Sequence, residues 1–221
     1  MNSSRKFAAE FLGTLLLVAT VVGSGTMAFN ISHDVGVQLL INTIATVFIL
    51  ALLIFLFANI SGSHFNPAVT LSELLQKRIS VLDALGYISA QFLGGFLGAV
   101  LANIMFKNPA VFRSHHVRSG SNLFLSEVLA TAGLLFLIQL LGFQKKGAVA
   151  PVAVAAWIGG AYFFTSSTSF ANPAMTFARA WSDTFSGIAL RSVPAFIVAQ
   201  LLGAALGVAL SYLFKEPNHE R

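Results

Sequence analysis

Six long apolar runs, separated by short polar stretches, make up most of the chain. They are Phe7–Phe29, Val37–Ala58, Val81–Phe106, Asn122–Leu141, Ala148–Phe164 and Ile188–Phe214. Each is long enough to cross a hydrocarbon core as a helix, which takes about 20 apolar residues. Two other segments break this pattern. Asn59–Phe65 and Thr165–Ala171 mix polar and apolar residues, and each runs into an Asn-Pro-Ala box. Asn is a favoured N-cap, and Pro is preset for the first helical position, where its missing N–H costs nothing. A short helix is therefore expected from Asn66-Pro67-Ala68 to about Leu75, closed by Lys77 and Arg78. A second is expected after Asn172-Pro173-Ala174, and Trp181, Ser182 and Asp183 follow too soon for it to span. A helix that begins at membrane depth cannot turn its free N–H groups to lipid, so it lines a cavity or meets a partner. Here the two half-helices are partners, with their N-termini pointing at each other across the midplane.

The two halves of the chain repeat each other. Ala9-Glu10-Phe11 pairs with Ser126-Glu127-Val128, the first Asn-Pro-Ala with the second, and Ala90-Gln91-Phe92-Leu93-Gly94-Gly95 with Ala199-Gln200-Leu201-Leu202-Gly203-Ala204. Three spans per repeat is an odd number, so the second repeat is inverted in the membrane, and such repeats place a solute path at their interface. The predicted fold is an all-α membrane protein with six transmembrane helices and two re-entrant half-helices in an inverted 3+3 repeat. It forms one channel domain over residues 1–221, with repeat one at about 7–106, a linker at 107–121 and repeat two at about 122–214. The linker carries a third set of the same letters, Asn108-Pro109-Ala110. Arg113, His115, His116 and Arg118 follow it instead of an apolar run, so it is read as loop. Gly94, Gly95 and Gly98 make a small-residue face suited to close helix packing.

Composition supports a membrane protein. Hydrophobic residues are 56% and charged residues 10% of the chain, against about 25% charged in soluble domains. The net charge of +5 is no nucleic-acid signal, because the basic residues cluster at span ends. With the N-terminus inside, the inner side holds Arg5, Lys6, Lys77, Arg78, Lys145, Lys146, Lys215 and Arg221. The outer side holds Lys107, Arg113, Arg118, Arg179 and Arg191. This bias predicts cytoplasmic termini. The chain has no cysteine, which excludes disulfides and thiolate metal sites, and no histidine pair has metal-ligand geometry. The first apolar run reads as a retained span and not as a signal peptide.

The midplane carries the candidate chemistry. Asn66 and Asn172 each offer side-chain N–H donors to a passing solute, backed by a half-helix N-terminus worth about half a positive charge. Two positive dipole ends oppose cations, and fixed donors break a proton wire; the blander reading is that the asparagines only cap helices. Glu10 and Glu127 lie within spans, where a carboxylate is costly unless satisfied. They form either a proton relay, which makes the protein a coupled transporter, or acceptors for backbone N–H groups of the re-entrant loops. His64 is either a donor lining the inner pore or a packed loop residue.

These residues resemble the aquaporin and aquaglyceroporin family. The motifs are Ala9-Glu10-Phe11-Leu12-Gly13-Thr14, Ser61-Gly62-Ser63-His64-Phe65-Asn66-Pro67-Ala68-Val69-Thr70, Ala90-Gln91 and the second Asn-Pro-Ala, and together they cover nearly the whole chain. The resemblance implies a homotetramer with one pore per protomer, embedded in plasma-membrane lipid. It implies passive transport with no cofactor, no catalytic residue, no metal and no nucleic-acid partner. It favours the loop-holding role for Glu10 and Glu127.

By the family's spacing, the outer constriction maps onto Thr46, Gly160, Ser169 and Met175. Most members carry Arg directly after the second Asn-Pro-Ala, where this chain has Met175, and water-selective members have a large aromatic at Thr46 and His at Gly160. The resemblance therefore implies a wide, weakly selective ring. Met175 with its Thr-Phe-Ala-Arg continuation is similar to a bacterial branch associated with arsenic resistance. Expected solutes are water, glycerol-like polyols and metalloid hydroxides such as arsenite or methylated arsenicals, across a bacterial inner membrane. The alternatives are a glycerol or water facilitator without an arsenic role, and an ion-coupled secondary transporter. Arg179 stands one helical turn beyond Met175. It either faces the outer vestibule or turns away to cap loop carbonyls or meet lipid headgroups.

Overall fold

A computed structural model describes residues 3–215, and its regular structure is entirely helical. The helices are α1 (Ser3–Ile31), α2 (Val35–Ser61), α3 (Pro67–Leu75), α4 (Val81–Met105), α5 (Ser121–Phe143), α6 (Ala150–Phe164), α7 (Pro173–Arg179) and α8 (Val193–Ser211). Among the described residues six helices are long and apolar enough to cross a membrane, with α6 and α8 extended by short 3₁₀ turns. α3 and α7 are the two half-helices. The polar tail beyond Lys215, with Arg221, lies outside the described residues.

Local chemistry sets the helix ends. Asp34 caps α2 by accepting from the Val37 N–H, and Ser80 caps α4 by accepting from the Asp83 N–H. α1 starts earlier than its apolar run because Lys6 pairs with Asp83 at 3.1 Å, which tethers its first turns to the start of α4. α2 runs on to Ser61 and stops at Gly62, whose φ of 86° supplies a left-handed C-cap with its N–H on the Ala58 carbonyl. α8 begins later than expected because the chain from residue 180 to 189 pairs with the linker. There Ser114 N bonds the Ala180 carbonyl at 2.9 Å and Ala189 N bonds the His116 carbonyl at 2.7 Å. His115 donates to Asp183 from its backbone N–H and meets it again through its ring, each at 2.9 Å. Burial pushes the Asp183 carboxyl up, but these bonds outweigh it and hold the group below the usual carboxylate range. Asn108-Pro109-Ala110 starts no helix in this linker.

The spans pack through glycine. α4 lies on α1, and a Cβ at Gly94 or Gly98 would collide with the backbone carbonyls of Phe11 and Leu15. α8 lies on α5 in the same way, with Gly203 and Gly207 against the carbonyls of Val128 and Ala132. Close backbone contact of this kind is how helices gain van der Waals energy in lipid, where apolar side chains gain nothing by leaving the solvent. α2 and α6 complete the ring around a core that includes Val18, Val22, Leu53, Leu135 and Tyr162.

Gly98→Val and Gly207→Val should each destabilise the protein by about 1–3 kcal/mol, because overpacking pries two spans apart. Gly160→Ala is the contrast. A Cβ there meets nothing within 4 Å, and the helix gains about 0.5–1 kcal/mol from losing a glycine. Thermal unfolding of purified protein in detergent separates the two outcomes.

Candidate functional site: the central pore

The re-entrant loops bend through left-handed conformations that side chains other than glycine rarely adopt. Ser63 (φ 53°) and Phe65 (φ 46°) in the first loop match Ser169 (φ 50°) and Ala171 (φ 47°) in the second. Each such residue costs on the order of 1 kcal/mol and persists only where its surroundings hold it. The holders are the two buried glutamates. Glu10 accepts from Phe65 N at 2.6 Å, His64 N at 3.0 Å, Ser61 Oγ at 2.6 Å and Gln91 Nε2 at 2.8 Å. Glu127 accepts from Phe170 N and Ala171 N, each at 2.9 Å, and from Gln200 Nε2 at 2.7 Å. The second N–H of each glutamine reaches the threonine of a half-helix, Gln91 to Thr70 at 2.9 Å and Gln200 to Thr176 at 2.8 Å. Each carboxylate thus ties one loop, one half-helix and two spans together. Neither lines the cavity.

The same loops aim the asparagines. Asn66 Oδ1 accepts from the Ala68 N–H at 2.9 Å, and Asn172 Oδ1 accepts from the N–H groups of Ala174 at 3.0 Å and Met175 at 3.1 Å. Across the midplane, Asn66 Nδ2 donates to the Ala171 carbonyl and Asn172 Nδ2 to the Phe65 carbonyl, each at 2.8 Å. An amide has two N–H groups, so each asparagine keeps one for a solute. Both line a cavity of about 340 Å³, and Pro67, Ala68, Pro173 and Ala174 lie buried beside them.

His64 lines the cavity on the side of the chain termini. The Thr70 hydroxyl lies 3.1 Å from the Asn66 carbonyl and 3.0 Å from His64 Nδ1. The His64 ring leans edge-on against Tyr87 with centroids 5.1 Å apart. It is both held in the loop and part of the wall.

On the far side, Thr46, Ser169, Met175 and Arg179 line the cavity, but Gly160 does not. Gly160 is exposed on the stripe of α6 that carries Val152, Ala156 and Phe164, the outward face of the helix. The cavity face of α6 is Val154, Ile158 and Tyr162. Counting back from Asn172 by a fixed interval misses this face, because the connection from α6 to the second box puts Tyr162 where Gly160 was expected. Tyr162 Oη lies 3.2 Å from Thr46 Oγ1, which itself donates to the Asn42 carbonyl at 2.7 Å, so the phenol is the donor and its lone pairs remain free. An aromatic hydroxyl thus lines the wall where the sequence reading had a glycine. The signal available in the sequence was a single tyrosine in an otherwise apolar run, since a buried phenol has to find a partner.

Arg179 combines both expectations. Its Nε donates to the Ser186 carbonyl, and its guanidinium lies over the Phe170 ring, 3.4 Å from the centroid. Among the described residues its terminal nitrogens have no hydrogen-bond partner, and the residue lines the cavity beside Ser169 and Phe170. The Ser169 hydroxyl is also buried and without a protein partner. Arg113 and Arg118 do not join this wall. Arg113 lies over Trp181, and Arg118 donates to the carbonyls of Gly187 at 2.8 Å and Phe185 at 3.3 Å.

Both oxygens of each glutamate only accept, so an amide cannot replace either one quietly. Glu10→Gln or Glu127→Gln leaves at least one loop N–H facing another N–H, a loss of about 1–3 kcal/mol. Both variants should melt earlier and lose transport in proportion. A variant with unchanged melting but altered pH dependence of flux would restore the proton-relay reading.

The comparisons with known proteins agree with this architecture. The model of the major intrinsic protein family matches residues 1–169. The chain is 44% identical over 214 residues to the aquaglyceroporin AqpS of Rhizobium meliloti (strain 1021), covering 97% of this chain and 91% of that protein. It is 34% identical to aquaporin A of Dictyostelium discoideum over 78% of this chain and 66% of that protein. The aquaglyceroporin structure from Plasmodium falciparum superposes with a TM-score of 0.69 at 20% identity, over 97% of this chain and 96% of that one. The chain belongs to the major intrinsic protein family, the aquaporins and aquaglyceroporins, whose members are membrane channels and not enzymes.

Proposed function

We propose that the chain is a passive channel for small uncharged solutes bearing several hydroxyl groups, namely water, glycerol-like polyols and metalloid trihydroxides such as arsenite. The observation that carries this reading is the make-up of the far-side constriction. Thr46 and Tyr162 bring hydroxyl groups to the wall, Ser169 and Met175 line it beside them, and Arg179 holds its donors one turn farther out. A solute entering a narrow pore sheds water and needs its hydrogen bonds replaced. A polyol or metalloid hydroxide both donates and accepts. It can give protons to Tyr162, take them from Arg179, and lay its less polar side against Met175. The 44% identity to a protein named an aquaglyceroporin supports a solute larger than water.

The passive mechanism is supported by the positions of Glu10 and Glu127, which accept from the loops and stand away from the cavity. In this reading the protein is a homotetramer of independent pores in a bacterial inner membrane, with its termini in the cytoplasm.

Proteoliposomes in a stopped-flow instrument test the proposal, with water, glycerol and arsenite side by side. Met175→Arg should cut glycerol and arsenite flux by about tenfold, because a guanidinium inside the ring removes both width and the apolar wall; about 1.4 kcal/mol of added barrier gives that factor. Water flux should fall less. Tyr162→Ala should open the ring and admit polyols longer than glycerol. Unchanged solute selectivity in both variants would place the constriction elsewhere.

A further inference from the structure

Two charged side chains line the cavity at repeat-related positions. Glu73 and Arg179 each stand seven residues after the asparagine that caps their half-helix. The inverted repeat puts them at opposite mouths, Arg179 on the far side and Glu73 on the side of the chain termini. Glu73 Oε1 accepts from Arg78 Nη1 at 2.9 Å and from Gln139 Nε2 at 3.3 Å. Arg78 also lines the cavity, and its backbone N–H closes the turn on the Glu73 carbonyl at 2.9 Å.

Helix stability does not account for this carboxylate. Glu73 sits near the C-terminal end of α3, where the helix dipole is itself negative and an acidic side chain is unfavourable. Arg179, at the same place on α7, is favoured by the dipole. Gln139 is a polar side chain fully buried in the α5 span, and its Oε1 has no protein partner. Its amide N–H draws the Glu73 carboxylate inward to the cavity wall. Exposure agrees with this arrangement, at 15% for the Glu73 side chain and 39% for Arg78. The carboxylate is the inner member of the pair, and the guanidinium is the member nearer water.

We propose that Glu73, balanced by Arg78, is a charge-selectivity element at the mouth on the side of the termini, complementary to Arg179 at the other mouth. A small anion drawn in by Arg179 meets Glu73 before it leaves. A small cation drawn in by Glu73 meets Arg179. An uncharged solute meets neither barrier. Arg78 tempers the carboxylate, so the mouth discriminates by sign without trapping cations. The proposal rests on the channel reading above.

Urea, guanidinium and nitrate test it, because they are planar, three-armed and close in size while their charges are zero, positive and negative. Fluxes are compared in proteoliposomes of wild type, Glu73→Gln, Arg78→Gln and Lys77→Gln. Glu73→Gln leaves Arg78 unbalanced and should raise the nitrate-to-urea ratio by about fivefold, the scale of one unit charge at a partly screened mouth. Arg78→Gln leaves Glu73 unbalanced and should raise the guanidinium-to-urea ratio by a similar factor. Lys77 is on the same turn but does not line the cavity, and its variant should keep both ratios. A bridge that only braced the turn would shift both ratios the same way in both variants, since either loss loosens the same turn. That result, or unchanged ratios with normal urea flux, overturns the proposal. Arg78, being the more exposed partner, keeps its arm of the test readable even where Glu73→Gln fails to assemble. If neither glycerol nor urea crosses with wild type, the channel reading fails and this proposal falls with it; where glycerol crosses and urea does not, the ratios are taken to glycerol.

Discussion

A pore across a membrane needs irregular backbone at its deepest point, and that backbone brings N–H groups that lipid cannot satisfy. Here the constraint is met by two buried carboxylates. Glu10 and Glu127 each gather two consecutive loop N–H groups. With its N–H groups turned to a glutamate, each loop presents a carbonyl to the opposite asparagine, from Phe65 to Asn172 and from Ala171 to Asn66. That bond fixes the rotamer of each asparagine and leaves one of its N–H groups for the solute. The donors at the midplane are thus oriented by carboxylates that stand outside the cavity wall.

This division of labour separates stability from selectivity. Gln91 and Gln200 join the glutamates to Thr70 and Thr176, and the glycine faces of α4 and α8 clamp the spans behind them. None of these groups meets the solute. The groups that do are carried on one side each of α2, α6 and α7, in the case of Thr46, Tyr162, Met175 and Arg179. Changing them leaves the frame standing, so one frame can serve pores of different width and polarity.

How much was legible in the sequence follows from the range of each interaction. Span positions, the Asn-Pro caps and the repeat depend on local patterns, and they agree with the structure to within a few residues except at α8, where long-range pairing of residues 180–189 with the linker delays the helix. The role of Glu10 and Glu127 was legible as a pair of alternatives, because a carboxylate in each repeat at the same place needs a common partner. Gly160 failed because a position inferred by counting depends on the length and path of the loop between α6 and Asn172. The helix itself contained the answer, since Val154, Ile158 and Tyr162 share one face. The tie from Gln139 to Glu73 joins residues 66 apart, and no local pattern announces it. His64 was left open because its place depends on the Thr70 hydroxyl and the Tyr87 ring, which only the fold brings beside it.

The inverted repeat also allows one half of the chain to be read against the other. Residues identical in the two halves include those that hold backbone: Glu10 with Glu127, Gln91 with Gln200, Thr70 with Thr176, and Asn66 with Asn172, which also line the cavity. Other pairs on the cavity wall differ. Val69 stands opposite in the repeat to Met175, and Glu73 to Arg179, and all four line the wall. The scaffold is symmetric because both loops face one physical problem, unsatisfied N–H groups at membrane depth. The wall is asymmetric because a solute crossing the pore meets its two ends in sequence and not together. With like charges at both mouths, the protein would oppose one sign of ion twice and the other not at all. With Arg179 at one mouth and Glu73, tempered by Arg78, at the other, a charge of either sign meets one barrier in the arrangement proposed, while an uncharged solute meets neither.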